Sequence, residues 1–445
     1  MKSDSGFIRG RIDWAMVGAM AGLIAIGSVA ILSAASPLPY YSSILQKHFL
    51  ALGIGVLLFV FGLGFNYQIF QDQAKTIYGL VVIMMIAVLL IGDTQRGTKG
   101  WIRFPFFSFQ PSELARVGTM LALANFLDRR GKTSHRVGYV LGAFGVVFPI
   151  LALILMEPDF SGTLPFFPML LGMLFCGGAS IGHLIAMGGY ATLTLALPLL
   201  WTMLSLRPEW IADSILLNGF MKIRQFDAEF MIALAVVVAG VWGLYKLLQM
   251  LRFNVQVPAF LAAAGILAAG LASGVLVDHQ LKGYQRNRFV AFLVPGADPR
   301  GAAYNVQQAQ VAIGSGGLWG KGVFSGTQSR LGFLPERHTD FIYAVIGEEM
   351  GFIGTMSVLA LYMFLLWRIV NAARVARDRY GYLVCCGMAA TMAFYMLINV
   401  GMCLGLVPVA GVPLPFISYG GSNLAITLLA MGIVGNVYSR RYAFY

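Results

Sequence analysis

The sequence predicts an all-α polytopic integral membrane protein of about twelve spans. Three observations lead there: 58% of its 445 residues are hydrophobic, only 11% are charged, and long apolar windows recur along nearly the whole chain. A soluble domain carries about 25% charged residues, and a mean hydropathy of +0.76 points the same way. Thirty-one Lys and Arg against nineteen Asp and Glu leave a net charge of +12. No basic run interleaved with aromatics accompanies it, so no nucleic-acid partner is expected. The charges must gather in loops, where they set topology or bind an anion.

Windows of about 20 residues, the length that crosses ~30 Å of hydrocarbon, fall at 14–34, 47–65, 76–92, 112–127, 137–155, 162–180, 183–204, 231–250, 256–277, 342–367, 381–406 and 418–438. Each is expected to be helical, because a backbone in lipid has to pair its own polar groups. The first follows the charged stretch MKSDSGFIRGRID and runs to full length with no small-residue cleavage site, so it reads as a retained span and not a signal peptide. The fourth is interrupted by Glu113, Arg116 and Asn125, as in a helix that faces a bundle interior. Cys176, Cys385, Cys386 and Cys403 lie inside apolar stretches without CxxC spacing and read as buried thiols. With the N-terminus inside, short inner loops hold Lys75, the cluster Arg129, Arg130, Lys132 and Arg136, and Arg374, Arg377 and Arg379. Both termini are therefore expected in the cytoplasm. Lys2, Arg9, Arg11, Lys246, Arg252, Arg368, Arg440 and Arg441 also fall inside, and the remaining fifteen of the thirty-one lie on or near the outer face, where topology gives them no purpose.

The order of these elements divides the chain into an N-terminal bundle of seven spans (1–204), a segment with two further spans (205–280), a large outer loop (281–341) and three C-terminal spans (342–445). A loop of that length is functional or disordered, and its content argues for function. QRNRFVAFLVPGADPRG opens as a short basic and apolar stretch suited to an interfacial amphipathic helix, then turns at Pro295, Gly296 and Pro299. The glycine-dense AIGSGGLWGKG that follows has no preceding strand and matches no dinucleotide or P-loop fingerprint.

Five stretches carry a resemblance: RGTKGWIRFPFFSFQPSELAR (96–116), EPDFSGT (157–163), YQRNRFVAFLVPGADPRGAAYNVQQAQVAIGSGGLWGKG (284–322), GTQSRLGFLPERHTDFIYAVIGEEMGFIG (326–354) and NVGMCLGLVPVAGVPLPFISYGGSNL (399–424). In this order they resemble the SEDS family, the RodA, FtsW and SpoVE proteins, and LPERHTDF after GTQSRLGF looks closest to the RodA branch. The resemblance implies a helical bundle of ten family spans, to which this chain adds a two-helix hairpin. Two added spans leave the large loop on the outer face. It also implies a peptidoglycan glycosyltransferase of cell elongation in the bacterial cytoplasmic membrane, polymerising lipid II with a class B penicillin-binding protein, beside other membrane proteins of the elongation complex. The family's essential acidic residue of the outer loop falls on Asp298; where relatives carry an extra Asp or Asn, this chain has Val294.

The chemistry supports such an assignment. Chain extension needs a 4-hydroxyl to attack an anomeric carbon while a lipid pyrophosphate departs, so a base must take the proton and cations must hold the developing charge. Asp298 fits the base, against an Asx turn or helix cap before Pro299. Lys99, Arg103, Arg286, Arg288 and Lys321 fit the pyrophosphate, although Lys99 at the headgroups, and Arg286 and Arg288 at lipid phosphates, are the plainer readings. Glu336, His338 and Asp340 form a substrate-facing cluster, a metal site or a structural network. Glu113 is a helix-start charge stabilised by the dipole, and PLPFISYGG reads as a broken helix start whose Gly and Pro permit irregular backbone inside a bundle, a structural role, with Ser418 open to a cavity as the lesser alternative. A divalent cation, Mg or Mn, is the one cofactor expected, with its ligands unassigned and no organic cofactor. A lipid-linked-precursor flippase and a non-catalytic transpeptidase scaffold are the competing functions.

Overall fold

The computed structural model describes residues 12–95, 98–104, 107–253, 257–281, 283–294 and 301–441. In chain order the first elements are α1 (Trp14–Ala35), α2 (Tyr41–Gly64), α3 (Tyr67–Asp72), α4 (Ala74–Ile91), strands β1 (Asp93–Gln95), β2 (Thr98–Arg103) and β3 (Ser108–Phe109), then α5 (Pro111–Arg129), α6 (Val137–Met156), α7 (Phe160–Thr163) and α8 (Phe166–Cys176). There follow α9 (Ile181–Ser205), α10 (Pro208–Ala212), α11 (Ile215–Lys222), α12 (Ala228–Met250), α13 (Val257–Gln280) and α14 (Gly283–Leu293). The chain ends with α15 (Ala302–Ser315), α16 (Thr327–Arg330), α17 (Ile342–Arg374), α18 (Arg379–Cys403) and α19 (Gly421–Ser439). Helices occupy all twelve apolar windows.

Among the described residues, nine of these helices are long and apolar enough to cross a membrane, or ten if Ala263–Gln280 and Gln285–Leu293 count as one bent span. The chain is an integral membrane protein. Apart from that bent pair, two expected spans fall short of that test for different reasons. α5 has the length but carries the charges noted above, and the apolar helix at 162–180 is confined to Phe160–Cys176. Among the described residues the segment 281–341 contains three short helices, α14 to α16. The stretch 93–109 is not a plain loop: β1 pairs antiparallel with β2, and β2 with β3.

The helix starts follow from local chemistry. Asp13 accepts from the Met16 N–H at 3.0 Å, Asp227 from Phe230 at 3.3 Å and Asp378 from Gly381 at 2.7 Å, each satisfying a donor that the first turn leaves open. α17 is broken at Gly351, which has φ 67 and lies against the backbone of Leu318 and Gly320, so only glycine fits.

The chain forms two compact units, residues 1–180 with 305–445, and residues 181–304. In the first, α2 and α19 approach at backbone distance: a Cβ on Gly62 would stand 2.8 Å from the Leu429 carbonyl, and one on Gly432 would collide with the Phe59 carbonyl. In the second, α9 packs on α13 through Gly270 and Gly274, which face Leu193 and Leu197, with a Thr194–Ser273 hydroxyl contact of 2.7 Å. Small residues that let helices close up are a usual device where lipid supplies no hydrophobic drive. The core there is Leu197, Trp201, Phe230, Leu271 and Val275; of α12, Phe230 is the one buried residue.

Candidate active site

In the first unit the stretches that carried the resemblance are joined by hydrogen bonds. The Lys99 N–H donates to the Glu157 carbonyl at 3.2 Å, tying β2 to EPDFSGT. Gln110, which precedes α5, donates from its side chain to Asp159 at 3.1 Å and from its backbone to the Ser422 hydroxyl at 3.0 Å. Ser422 in turn donates to the Ser108 carbonyl at 2.8 Å. Asp159 also caps α7 through the Gly162 N–H at 2.9 Å.

Glu113 sits in the first turn of α5, where the dipole favours a negative charge. One oxygen accepts from Asn423 at 3.0 Å and the other pairs with Arg116 at 2.8 Å. Arg116 is buried; it donates to the Tyr395 hydroxyl and, at 3.3 Å, to Thr427, and its guanidinium lies over the Tyr395 ring. A charge at this depth is tolerable because it is paired and hydrogen-bonded on every side.

The second group centres on 336–340. Glu336 has φ 50, and its carbonyl accepts from the Thr339, Asp340 and Phe341 N–H groups at 3.1, 3.1 and 3.3 Å. Tyr419 donates to the His338 carbonyl at 2.8 Å, and the two rings lie 5.6 Å apart. The Asp340 carbonyl accepts from Asn399 at 3.0 Å. Ser418 is buried and bonds the Thr339 carbonyl at 2.7 Å and the Leu414 N–H at 2.8 Å. Ser418 thus faces neighbouring backbone. The buried Arg337 donates to the Ala34 carbonyl at 2.8 Å.

The expected cations are arranged unlike one another. Lys99 reaches the Leu90 carbonyl at 3.3 Å, and Arg103 pairs with Asp93 at 3.2 Å with both side chains more than half exposed. Lys321 bonds the buried Glu348 at 3.1 Å and Thr327 at 2.8 Å. Arg286 and Arg288 belong to the second unit. There Arg286 pairs at 3.0 Å with Asp278, which also holds Arg224 at 2.5 Å; Arg288 is half-buried on the same helix. Asp298 lies outside the described residues. Among those described, no group of three or more His, Cys, Asp or Glu side chains could hold a metal ion, so His338, Glu336 and Asp340 do not assemble a metal site.

One residue stands out that the sequence reading passed over. Glu157 is fully buried, and neither carboxylate oxygen has a hydrogen-bond partner among the described residues. Burial, with the Asp159 charge beside it, pushes its pKa up to about 8. A Cβ on Gly100 would come within 2.6 Å of Glu157 Oε2, so the glycine in TKGW is what lets β2 close over this carboxyl.

The FtsW/RodA/SpoVE cell cycle protein family matches residues 11–213 and 223–443, nearly the whole chain. The chain belongs to this family. The match takes in both units described above, α12 and α13 included. Among its FtsW/RodA/SpoVE relatives, the peptidoglycan glycosyltransferase RodA of Treponema pallidum (strain Nichols) is 29% identical over 390 residues, covering 87% of this chain and 88% of that protein. The peptidoglycan glycosyltransferase MrdB of Escherichia coli (strain K12) is 31% identical over 374 residues, covering 84% and 80%. A chain from a peptidoglycan synthase complex, solved in a study of how polymerization and crosslinking are coordinated, matches with a TM-score of 0.65 and 28% identity over 97% of this chain and 98% of that one.

Proposed function

We propose that this chain is a peptidoglycan glycosyltransferase that polymerises lipid II into glycan strands on the outer face of the bacterial cytoplasmic membrane, in cell elongation. The observation that carries the reading is the hydrogen-bonded convergence of β2, the α5 start, EPDFSGT and the Ser422–Asn423 turn in a chain whose relatives bear that name. Asp298 is assigned as the base. It takes the proton of the acceptor 4-hydroxyl as that oxygen bonds to the anomeric carbon and the bond to pyrophosphate breaks. A pyrophosphate leaves without protonation, so one carboxylate suffices where most glycosidases need two. Displacement of an α-linked pyrophosphate from the opposite face gives a β-linked chain.

Lys99 and Arg103 are the pyrophosphate ligands best supported, since among the described residues the Lys99 amine makes one carbonyl contact and Arg103 an exposed ion pair of the kind that contributes little. Arg286 and Arg288 stay in the proposal as contributors from the second unit. Lys321 acts through Glu348 on the shape of the loop. A class B penicillin-binding protein is the proposed partner, in keeping with the synthase complex that supplied the structural match, and other elongation proteins join them. A divalent cation, Mg or Mn, remains part of the proposal as a companion of the pyrophosphate.

The test is conversion of lipid II to glycan polymer by the purified protein with and without a class B penicillin-binding protein. Asp298→Asn is expected to abolish polymer, a loss of at least about 10²-fold for a general base, while the protein still folds and binds its partner. Normal polymerisation by Asp298→Asn removes the base assignment. Passage of lipid II across vesicle membranes without polymer replaces the reading with transport.

A further inference from the structure

Away from the candidate active site, the first unit contains a cavity of about 270 Å³ lined by Ser134, His135, Gly177, Gly178, Arg379 and Tyr382, with Cys176 beside them. It lies where α5 ends, α6 begins, α8 ends and α18 begins, the face that the inner-loop cations assign to the cytoplasm. Arg379 is fixed at it. One of its amines donates to the Gly177 carbonyl at 2.5 Å, the same oxygen that accepts from the Tyr139 hydroxyl at 3.0 Å. The guanidinium lies against Gly131, where any Cβ would collide with it.

The surrounding charge is one-sided. Residues 128–136 and 374–379 contain seven Lys and Arg against two carboxylates, Asp128 and Asp378, a surplus of five. Neither carboxylate lines the cavity. Asp378 accepts from the Tyr67 hydroxyl at 2.8 Å and the Gly381 N–H at 2.7 Å, and Asp128 accepts from Gln71 at 3.0 Å. The same ends of α6 and α8 expose apolar side chains, Val137 at 55%, Leu141 at 64% and Phe175 at 64%. Val137 and Leu141 are four residues apart and share a helix face.

We infer that this cavity binds the headgroup of an anionic phospholipid. The guanidinium of Arg379 meets the phosphodiester with planar donors suited to it, His135 and the Tyr382 hydroxyl supply further polar contacts, and the acyl chains lie along the exposed apolar ends of α6 and α8. A basic pocket between helices on the cytoplasmic side is a recognised arrangement for such lipids. A soluble phosphate would use the cations and leave the apolar rim without a role.

The experiment is native mass spectrometry of the full chain in detergent, titrated with phosphatidylglycerol or phosphatidylcholine, with inorganic phosphate as competitor. Wild type is expected to bind phosphatidylglycerol about tenfold more tightly than phosphatidylcholine. Arg379→Gln and His135→Ala should each remove most of that preference, Lys246→Gln, outside the cavity, should not, and millimolar phosphate should fail to displace the lipid. If Arg379→Gln does not fold, the exposed His135→Ala decides. Equal binding of the two lipids overturns the inference. So does an unchanged preference in a folded His135→Ala, an equal loss in Lys246→Gln, or displacement by phosphate, which would make this a site for a soluble anion.

Discussion

The first unit fastens itself with buried polar side chains and with glycines set against backbone, the second with glycines set against leucine side chains and one ion cluster. In the first, Ser33 donates to Glu349 at 2.5 Å across 316 residues, the Tyr67 N–H to Asn436 at 3.0 Å across 369, and Arg116 to Thr427 at 3.3 Å across 311. In the second, α9 and α13 close through Gly270 and Gly274, and the buried Asp278 gathers Arg224 and Arg286. The difference is one of tolerance. A glycine contact against a flexible Leu can relax, whereas a buried carboxylate with several donors cannot lose its place without orphaning all of them. The reaction proposed above asks for rigidity in the unit that holds Glu113, Gln110 and Lys99.

Glu348 offers the strongest break. Its carboxylate accepts from Lys321, from the Thr327 N–H and hydroxyl, and from the Gln328 and Ser329 N–H groups, at 2.7 to 3.1 Å. Glu348→Ala is expected to cost about 3–5 kcal/mol, read as a lowered unfolding temperature in detergent, and to increase proteolysis within 321–330. A loss below about 1 kcal/mol would remove the contrast between the units. Next come the glycines. Gly432→Ala drives a methyl into the Phe59 carbonyl and should cost about 2–3 kcal/mol. Gly270→Ala meets the Leu193 methyl at 2.6 Å, the movable end of a side chain, and should cost less than about 1 kcal/mol. Equal costs would mean that α9 and α13 are as tightly set as α2 and α19.

The twelve helical windows were readable because the rule behind them is local: about 20 apolar residues must pair their own backbone. The sheet at 93–109 escaped that reading, since its strands are two to six residues long and hydrogen-bond to one another across turns. The cations show the same limit. Lys321 looks like an anion ligand in isolation, and its partner Glu348 stands 27 residues on, across a turn and into a helix. Arg286 meets Asp278 from eight residues away, over the end of α13. Which charge is neutralised by which neighbour depends on chain reversals that composition does not encode. Ser418 is the converse, since a broken helix start with a structural serine was readable from PLPFISYGG itself.

Glu157 cuts across the comparison, because it is a fully buried carboxyl in the first unit with no hydrogen bond to either oxygen among the described residues. The signal available in the sequence was a carboxylate placed between an apolar run and Pro158; its burial depends on β2 folding over it at Gly100. With a folded pKa near 8 against an ordinary value near 4.5, the folded chain holds a proton that the unfolded chain releases. Its contribution to stability is therefore complete below about pH 4.5 and is lost progressively as pH rises through 8. Between pH 6 and 7 the slope should be about 1 kcal/mol per unit. Glu157→Gln, which keeps the shape and cannot ionise, should flatten that slope and raise the unfolding temperature at pH 8 relative to wild type. The same pH dependence in wild type and Glu157→Gln would mean that the carboxyl is ionised in the fold, and that a cation or water meets it there.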